Sequence, residues 1–127
     1  MKISPMPELL SAYAKGVMGE NAAAHFLAAK GMKELQRRYR CAAGEIDLIL
    51  LDGEVLIFVE VKARERLDRL QTQYAITPAK QRRMIKSVRW YLGEHPEHAE
   101  RMIRFDVITV ARNGILHLPN AFEGSAW

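Results

Sequence analysis

Residues 44–62 read GEIDLILLDGEVLIFVEVK, and this run constrains the fold more than any other part of the chain. Two apolar segments, residues 46–51 and 55–61, flank the pair Asp52-Gly53, which predicts two antiparallel strands joined by a tight turn. An unpaired charge in such a setting would cost several kcal/mol, so charged groups there are usually paired, bound to a metal ion or used in catalysis. Apart from Asp52 and Glu54 at the turn, the run nevertheless contains four of them: Glu45, Asp47, Glu60 and Lys62.

The predicted turn fixes which residues of the two strands lie opposite each other. With the Asp-Gly pair as the turn, Glu60 lies opposite Glu45, and Asp47 is the diagonal neighbour of Glu60, with the backbones roughly 7–8 Å apart. Residues two apart on a strand share a face, so Lys62 joins the three carboxylates on one side of the sheet. Two carboxylates at this spacing can bind one cation.

The predicted carboxylate cluster needs compensation, because like charges on one face repel one another unless a cation or a proton is present. A few hard oxygen ligands with room for water favour Mg²⁺ or Mn²⁺ over zinc. Lys62, beside the proposed ion, could assist an attacking water or neutralise charge on a phosphate. The alternative is a structural salt bridge of Lys62 with Asp47 or Glu60, because ion-pair networks also occur inside proteins.

The rest of the chain predicts helices and strands in the order α-β-β-β-α-β-β. Residues 9–30 carry apolar or small side chains three and four apart, which predicts a helix, and Glu20 falls in the same inward-facing series. We expect one α/β domain over residues 1–127, with a core at about 9–118 and a mixed central sheet flanked by helices. We predict an edge strand at 35–39 and a loop at 64–76. A Thr-Pro pair opens a predicted helix at 77–92, and two further strands are predicted at 104–111 and 115–118.

Hydropathy and cysteine content exclude several classes of protein. No apolar stretch approaches the roughly 20 residues that cross a bilayer, and the N-terminus lacks the apolar core of a signal peptide. Cys41 is the only cysteine, which excludes a disulfide framework and a Cys-based zinc site. We therefore expect no membrane partner and a cytoplasmic location. Asp106 is expected to be a buried partner of Arg104 or another arginine.

Positive charge is concentrated in the middle of the chain. Residues 62–104 carry 11 Lys and Arg against 5 Asp and Glu, whereas residues 1–61 carry 7 against 8. A basic region beside a carboxylate cluster suits nucleic acid, although a solvated helix face is the alternative. Lys80, on the inner side of the second helix, either touches a phosphate or extends to solvent. The candidate DNA contacts are Arg64, Arg66, Lys80, Arg82, Arg83, Lys86 and Arg89.

Four strings occur in the order GENAAAHFL, GEIDLI, FVEVKAR and RFDVITV. Together, over about residues 16–110, they resemble the YraN-like family of small bacterial proteins. That family is assigned to the PD-(D/E)XK nuclease superfamily and is similar in outline to archaeal Holliday-junction resolvases. The resemblance implies a restriction-endonuclease-like αβββαβ core. Ile46 departs from the superfamily signature, which often has proline before the aspartate, and it leaves the carboxylate in place.

The resemblance also implies roles for individual residues. Asp47 and Glu60 would bind the divalent metal, Mg²⁺ or Mn²⁺, with the backbone carbonyl of Val61 as a further ligand. Lys62 would be the catalytic lysine, and Glu20 matches the helical glutamate that completes the site in resolvase-like members. Glu45 either contacts the metal ligands as a supporting residue without binding the ion itself or points to solvent.

These observations favour a Mg²⁺-dependent endodeoxyribonuclease that hydrolyses DNA phosphodiester bonds. Likeness to resolvases implies branched DNA in recombination or repair, and a homodimer, because two strands must be cut symmetrically. One alternative is a non-catalytic nucleic-acid-binding module of a repair or recombination complex. The other is a structural or adaptor protein whose charges form a buried salt-bridge network.

Overall fold

The computed structural model describes residues 12–123, with side chains described from Gly16 onward. Its helices are α1 (Ala12–Ala29), α2 (Arg69–Gln73) and α3 (Pro78–Glu94), followed by a 3₁₀ turn at Pro96–His98. Its strands are β1 (Lys33–Cys41), β2 (Gly44–Asp52), β3 (Val55–Ala63), β4 (Ile103–Ala111) and β5 (Gly114–Phe122). The predicted helix start at residue 9 lies outside the described residues.

The five strands form one sheet in the order β1-β2-β3-β4-β5. β3 and β4 are parallel, and the other neighbouring pairs are antiparallel. α2 and α3 make the crossover that a parallel pair requires. The predicted mixed sheet flanked by helices, with its αβββαβ order, is therefore confirmed, and β1 and β5 are longer than predicted.

Both faces of the sheet are buried, which explains the nearly continuous apolar runs of the central strands. On one face, α3 packs over an aromatic group in which the rings of Phe58 and Tyr91 meet edge to face, with centroids 5.7 Å apart. On the other face, α1 buries Ala24 and Leu27 against Val59 and neighbouring aliphatic side chains. The two helices thus lie on opposite faces of the same strands.

Side-chain caps determine where the helices after β3 begin. The Thr77 hydroxyl accepts a hydrogen bond from the Lys80 amide at 3.2 Å, so the predicted cap of α3 is confirmed. Asp68 caps α2 by accepting a hydrogen bond from the amide of Leu70 at 2.9 Å. The predicted loop at 64–76 is therefore wrong over α2. Thr72 in that helix is buried and contacts Thr109 at 2.8 Å, a tertiary contact that no local pattern signals.

The β2–β3 turn lies one residue later than predicted. Asp52 pairs with Val55, so the two turn residues are Gly53 and Glu54, and the predicted pairing of Leu51 with Glu54 is wrong. Gly53 has φ 59°, whereas Glu54 is not among the described residues with positive φ. This pattern is typical of a type II′ turn, which places glycine first. Each partner shifts by two residues, so the side chains of the ladder from Leu48 to Asp52 keep their predicted faces.

Candidate functional site

Asp47 and Glu60 lie just beyond the last pair of the β2–β3 ladder. β2 and β3 pair as far as Leu48 and Val59, so these two carboxylates belong to the next residue on each strand. Within the ladder the predicted register is wrong by two residues, and the pairing of Glu60 with Glu45 and the diagonal relation of Asp47 and Glu60 were derived from that register. The negative charge of Glu60 acts on the Asp47 carboxyl, so the two groups are neighbours.

The ladder ends at Asp47 because its side chain takes the place of a backbone partner. Oδ2 of Asp47 accepts a hydrogen bond from the amide of Val61 at 2.7 Å. On the other side of β2, the ladder with β1 skips Arg38, whose φ of 51° lies in a region that costs a non-glycine residue about 1–2 kcal/mol. Ile46 and Ile49 pack in the same core cluster, so the regular alternation of β2 breaks between them. This kink places Asp47 within reach of both faces.

Glu20 approaches the site from α1. A Cβ built on Gly19 would lie 3.6 Å from the Cβ of Ala63, so the helix runs close to β3 at this point. The Glu20 side chain is 12% exposed, and its Oε2 accepts a hydrogen bond from Nε of Arg38 at 2.7 Å. Glu20 therefore points inward, as the helical period predicts. Arg38 was missed in the sequence because nothing in the string RRYR separates it from its arginine neighbours.

Three carboxylates converge at the start of β2. One oxygen each from Glu20, Glu45 and Asp47 lies within 4.8 Å of the other two. In an octahedral site with Mg–O bonds of about 2.0–2.1 Å, opposite oxygens are about 4.2 Å apart, so small side-chain movements would let all three share an ion. All-oxygen donors fit Mg²⁺ or Mn²⁺. Glu45 is half exposed and forms an ion pair with Arg40 at 3.5 Å.

Glu60 lies beside these carboxylates but is held by two lysines. Its side chain is 6% exposed, and its Oε1 lies 3.1 Å from Nζ of Lys62. The same oxygen accepts a hydrogen bond from Nζ of Lys80, which extends from the first turn of α3. The structure thus places Glu60 in an ion-pair network, and its role as a metal ligand stays a prediction. The same holds for the Val61 carbonyl, because it is the Val61 amide that contacts Asp47.

Burial and neighbouring charges shift the proton affinities of this cluster. Burial above all, followed by the negative charge of Glu60, raises the pKa of Asp47 to about 7. Burial, helped by Lys80, lowers the pKa of the Lys62 amine in spite of the opposing charge of Glu60. Burial opposes the charge of Lys80, but its hydrogen bonds to Glu60 and Lys62 and the negative charges of Glu60 and Asp47 together outweigh burial and raise its pKa. A carboxyl group with a raised pKa beside an amine with a lowered pKa is typical of functional sites, although ion-pair networks also produce such shifts.

Lys80 is the predicted basic residue that lies in the cluster itself. The sequence is compatible with contact to a phosphate or to solvent. The contact of Lys80 with Glu60 has no signal in the sequence, because it depends on how α3 docks on the sheet. The other predicted DNA contacts are exposed, two after β3 and four on α3: Arg64, Arg66, Arg82, Arg83, Lys86 and Arg89.

A second charge network lies on β4 and β5. Asp106 is fully buried, and Nε and Nη2 of Arg104 each donate a hydrogen bond of 2.9 Å to its carboxylate, which confirms the predicted partner. Nε2 of His117 lies 2.7 Å from the same carboxylate. Burial would raise the pKa of Asp106, but the hydrogen bonds to His117, Arg104 and the Asn120 amide, with the charge of Arg104, together outweigh burial and hold the pKa below its ordinary value.

The fold and the site define a mixed α/β protein with a carboxylate–lysine cluster where β2 and β3 meet α1 and α3. In the part of the chain that the structure describes, no helix has the length and apolar character needed to cross a membrane. The chain belongs to the family described as "Uncharacterised protein family UPF0102", whose model matches residues 19–110. The expected membership of the YraN-like family is thereby confirmed.

Relatives in other bacteria match over nearly the whole chain. A UPF0102 protein of Rhodopseudomonas palustris is 43% identical over 120 residues, covering 94% of this chain and 87% of that protein. A UPF0102 protein of a Bradyrhizobium species is 44% identical over 120 residues, with the same two coverages of 94% and 87%.

Among solved structures, the chain is similar to SfsA of Pyrococcus furiosus, determined in complex with Ca²⁺. The TM-score is 0.34 at 16% identity, and the match covers 86% of this chain and 63% of that one, so this chain spans less than two thirds of that protein's length. A likeness at this level carries no argument about function.

Proposed function

We propose that this protein is a metal-dependent nuclease of the PD-(D/E)XK superfamily that hydrolyses DNA phosphodiester bonds. The proposal is carried by the convergence of Glu20, Asp47 and Glu60 with Lys62. These residues come from a helix and two strands, yet Glu20 lies within 4.8 Å of Asp47, the charge of Glu60 acts on Asp47, and Lys62 contacts Glu60. The carboxylates and the lysine stand in the order and strand positions of the superfamily motif.

The carboxylates would hold the cation from both faces of the sheet. Asp47 is central, because the charge of Glu60 acts on it and its carboxylate also lies within 4.8 Å of those of Glu20 and Glu45. A bound Mg²⁺ or Mn²⁺ would polarise a phosphate oxygen and make a water molecule more acidic. The raised pKa of Asp47 supports this assignment, because burial first and the charge of Glu60 second disfavour its ionised form, and a bound cation would offset both. The Val61 carbonyl would be a further ligand.

The two lysines would have different tasks. The lowered pKa of Lys62 makes its neutral amine more accessible near neutral pH, so its Nζ can accept the proton that an attacking water loses. Lys80 carries a raised pKa and stays cationic, which suits it to hold Glu60 in place and to stabilise negative charge on a phosphate. The proton therefore goes to Lys62, and Lys80 contributes charge.

DNA would bind chiefly through the exposed basic residues after β3 and on α3. Their contacts with phosphates would give a salt-dependent affinity without sequence preference. If branched DNA is the substrate, a homodimer would supply two symmetric sites.

The test uses branched, flapped and linear DNA with Mg²⁺ or Mn²⁺. Wild type is compared with Asp47→Ala and Lys62→Ala, and with the matched controls Asp52→Ala and Lys33→Ala, which change exposed or half-exposed residues of the same sheet. We expect metal-dependent cutting by wild type and both controls, and at least a 100-fold slower rate in the two site variants.

Other outcomes would identify the competing functions. Binding without cutting on every substrate would show a nucleic-acid-binding module. The ion pairs of Glu60 with both lysines favour a purely structural network as the second candidate. That candidate predicts neither DNA binding nor metal affinity, and it predicts a large loss of stability in Glu60→Gln, because two half-buried lysines lose their anionic partner.

A further inference from the structure

One flank of α3 joins the carboxylate–lysine cluster to an exposed tryptophan. Positions 80, 83, 87, 90 and 94 are spaced three and four apart and therefore follow one side of the helix. Lys80 bonds to a glutamate of β3, Ser87 lies beside the start of β2, and Glu94 accepts a hydrogen bond from a tyrosine of β1. Between these contacts Arg83 and Trp90 are exposed, so both lie on the side of α3 that borders the site.

Trp90 is 52% exposed, although tryptophan is usually largely buried. It borders a shallow depression of about 500 Å³ that is lined by Lys86, Arg89, Trp90, Gly93 and Glu94. A Cβ added to Gly93 would meet nothing within 4 Å, so the missing side chain leaves open space one turn beyond the indole. The surface therefore combines an accessible aromatic ring with neighbouring cations.

The charge of α3 favours a polyanionic occupant. The helix carries five Lys and Arg residues and, at its last position, the acidic residue Glu94. A second copy of this chain would place its own basic helix against this one in a two-fold contact, and like charges would repel. A nucleic-acid strand offers both phosphates for the cations and bases for the indole.

We propose that Trp90 stacks on an unpaired base of a nucleic-acid strand whose phosphates are bound by Arg83 and Lys86. The proposal rests on the proposed function insofar as it requires a nucleic-acid partner. Trp90 lies ten residues after Lys80, which corresponds to about 15 Å along the helix axis. At about 3.4 Å per nucleotide in a stacked strand, this is about four nucleotides. The surface thus selects substrates with a single-stranded segment next to the site, such as flaps and open junctions, over continuous duplex.

The test measures binding in EDTA, so that no cutting occurs, to a twelve-nucleotide oligo-dT and to the same strand with abasic positions. One stacked base contributes an affinity factor of about 5–150, so Trp90→Ala should weaken oligo-dT binding by that factor and Trp90→Phe by less. Wild type should lose the same factor on the abasic strand, whereas Trp90→Ala should bind the two strands alike. A Trp127→Phe background makes Trp90 the sole tryptophan, and its fluorescence should be quenched by oligo-dT.

Gly93→Leu tests the same surface with a substitution that should not impair folding. It fills the depression with a good helix former and should weaken oligo-dT binding without lowering the melting temperature. Oligo-dT affinity unchanged in Trp90→Ala, or a dimer that Trp90→Ala converts to a monomer, would overturn the proposal. Binding that depends on Trp90 without any metal-dependent cutting would refute the proposed hydrolysis and leave the stacking surface standing.

Discussion

Replacing Asp47 with asparagine should stabilise the metal-free protein at pH 8. Burial and the charge of Glu60 raise the pKa of this carboxyl from its ordinary 3.8 to about 7. This pKa difference means that the ionised form of Asp47 lowers the folding stability by on the order of 4 kcal/mol. Asparagine removes the charge and can still accept the hydrogen bond from Val61, though more weakly. We therefore expect a gain of about 1–4 kcal/mol in the free energy of unfolding.

The effect should depend on pH with a definite sign. Because the folded-state pKa is raised, the native protein binds the proton of Asp47 more tightly than the unfolded chain does. The contribution of this group to stability therefore falls as pH rises from about 4 to about 7 and is constant above that range. Asp47→Asn has no carboxyl at this position and does not lose stability in this way. The free energies of unfolding of the two proteins should therefore differ least near pH 4 and most at pH 8.

Urea unfolding in EDTA at several pH values measures the difference, with equal m-values as the check that the unfolding transition is unchanged. Asp52→Asn is the matched control, since this half-exposed carboxylate forms a surface ion pair with Arg104 at 3.7 Å. Such a pair contributes about 0–1 kcal/mol. If Asp47→Asn were less stable than wild type at pH 8, the positive charge of the lysines would already stabilise the ionised carboxylate. The reasoning for a cation site would then be refuted.

Three further measurements test the metal site, the backbone at Arg38 and the charge network around Asp106. The affinity for Mn²⁺ should fall about tenfold for each pH unit below about 7, because the ion competes with the proton of Asp47; calorimetric titration at pH 5.5 and 8 measures this, and an equal affinity at both would contradict it. Arg38→Gly should be more stable than Arg38→Ala by about 1–2 kcal/mol in thermal unfolding, because the φ of 51° suits glycine; the reverse order would argue against backbone strain at this position. Asp106→Ala should lose about 3–5 kcal/mol of stability, because the half-buried Arg104 and the neighbouring His117 lose a fully buried carboxylate, while Mn²⁺ affinity per folded molecule stays unchanged; a weaker metal affinity would show that the two charge networks are coupled.

Local periodicity was sufficient to predict the elements that form the site. The apolar runs of β2 and β3 identify a buried hairpin, and the helical series that contains Glu20 predicts its inward direction. The cap at Thr77 predicts the start of α3. Each of these signals depends on residues close together in sequence, and each is confirmed by the structure.

The arrangement of the carboxylates depends on features that the sequence does not encode locally. An Asp-Gly pair favours a turn on those two residues, whereas the observed turn uses Gly53 and Glu54. The kink at Asp47 depends on β1 and β3 together, since its carboxylate takes the Val61 amide while Arg38 leaves the other ladder. Glu60 meets Lys80 only because α3 docks on this face of the sheet.

The most direct test of a nuclease is the single-turnover rate of strand cleavage on a labelled flap or junction with Mg²⁺ at saturating protein, for wild type and Lys62→Ala. A lysine that accepts a proton in the reaction predicts a rate about 10²–10⁴-fold lower in the variant, with DNA affinity within about threefold of wild type. Equal rates in the two proteins, or no Mg²⁺-dependent cleavage by wild type, would contradict the assignment.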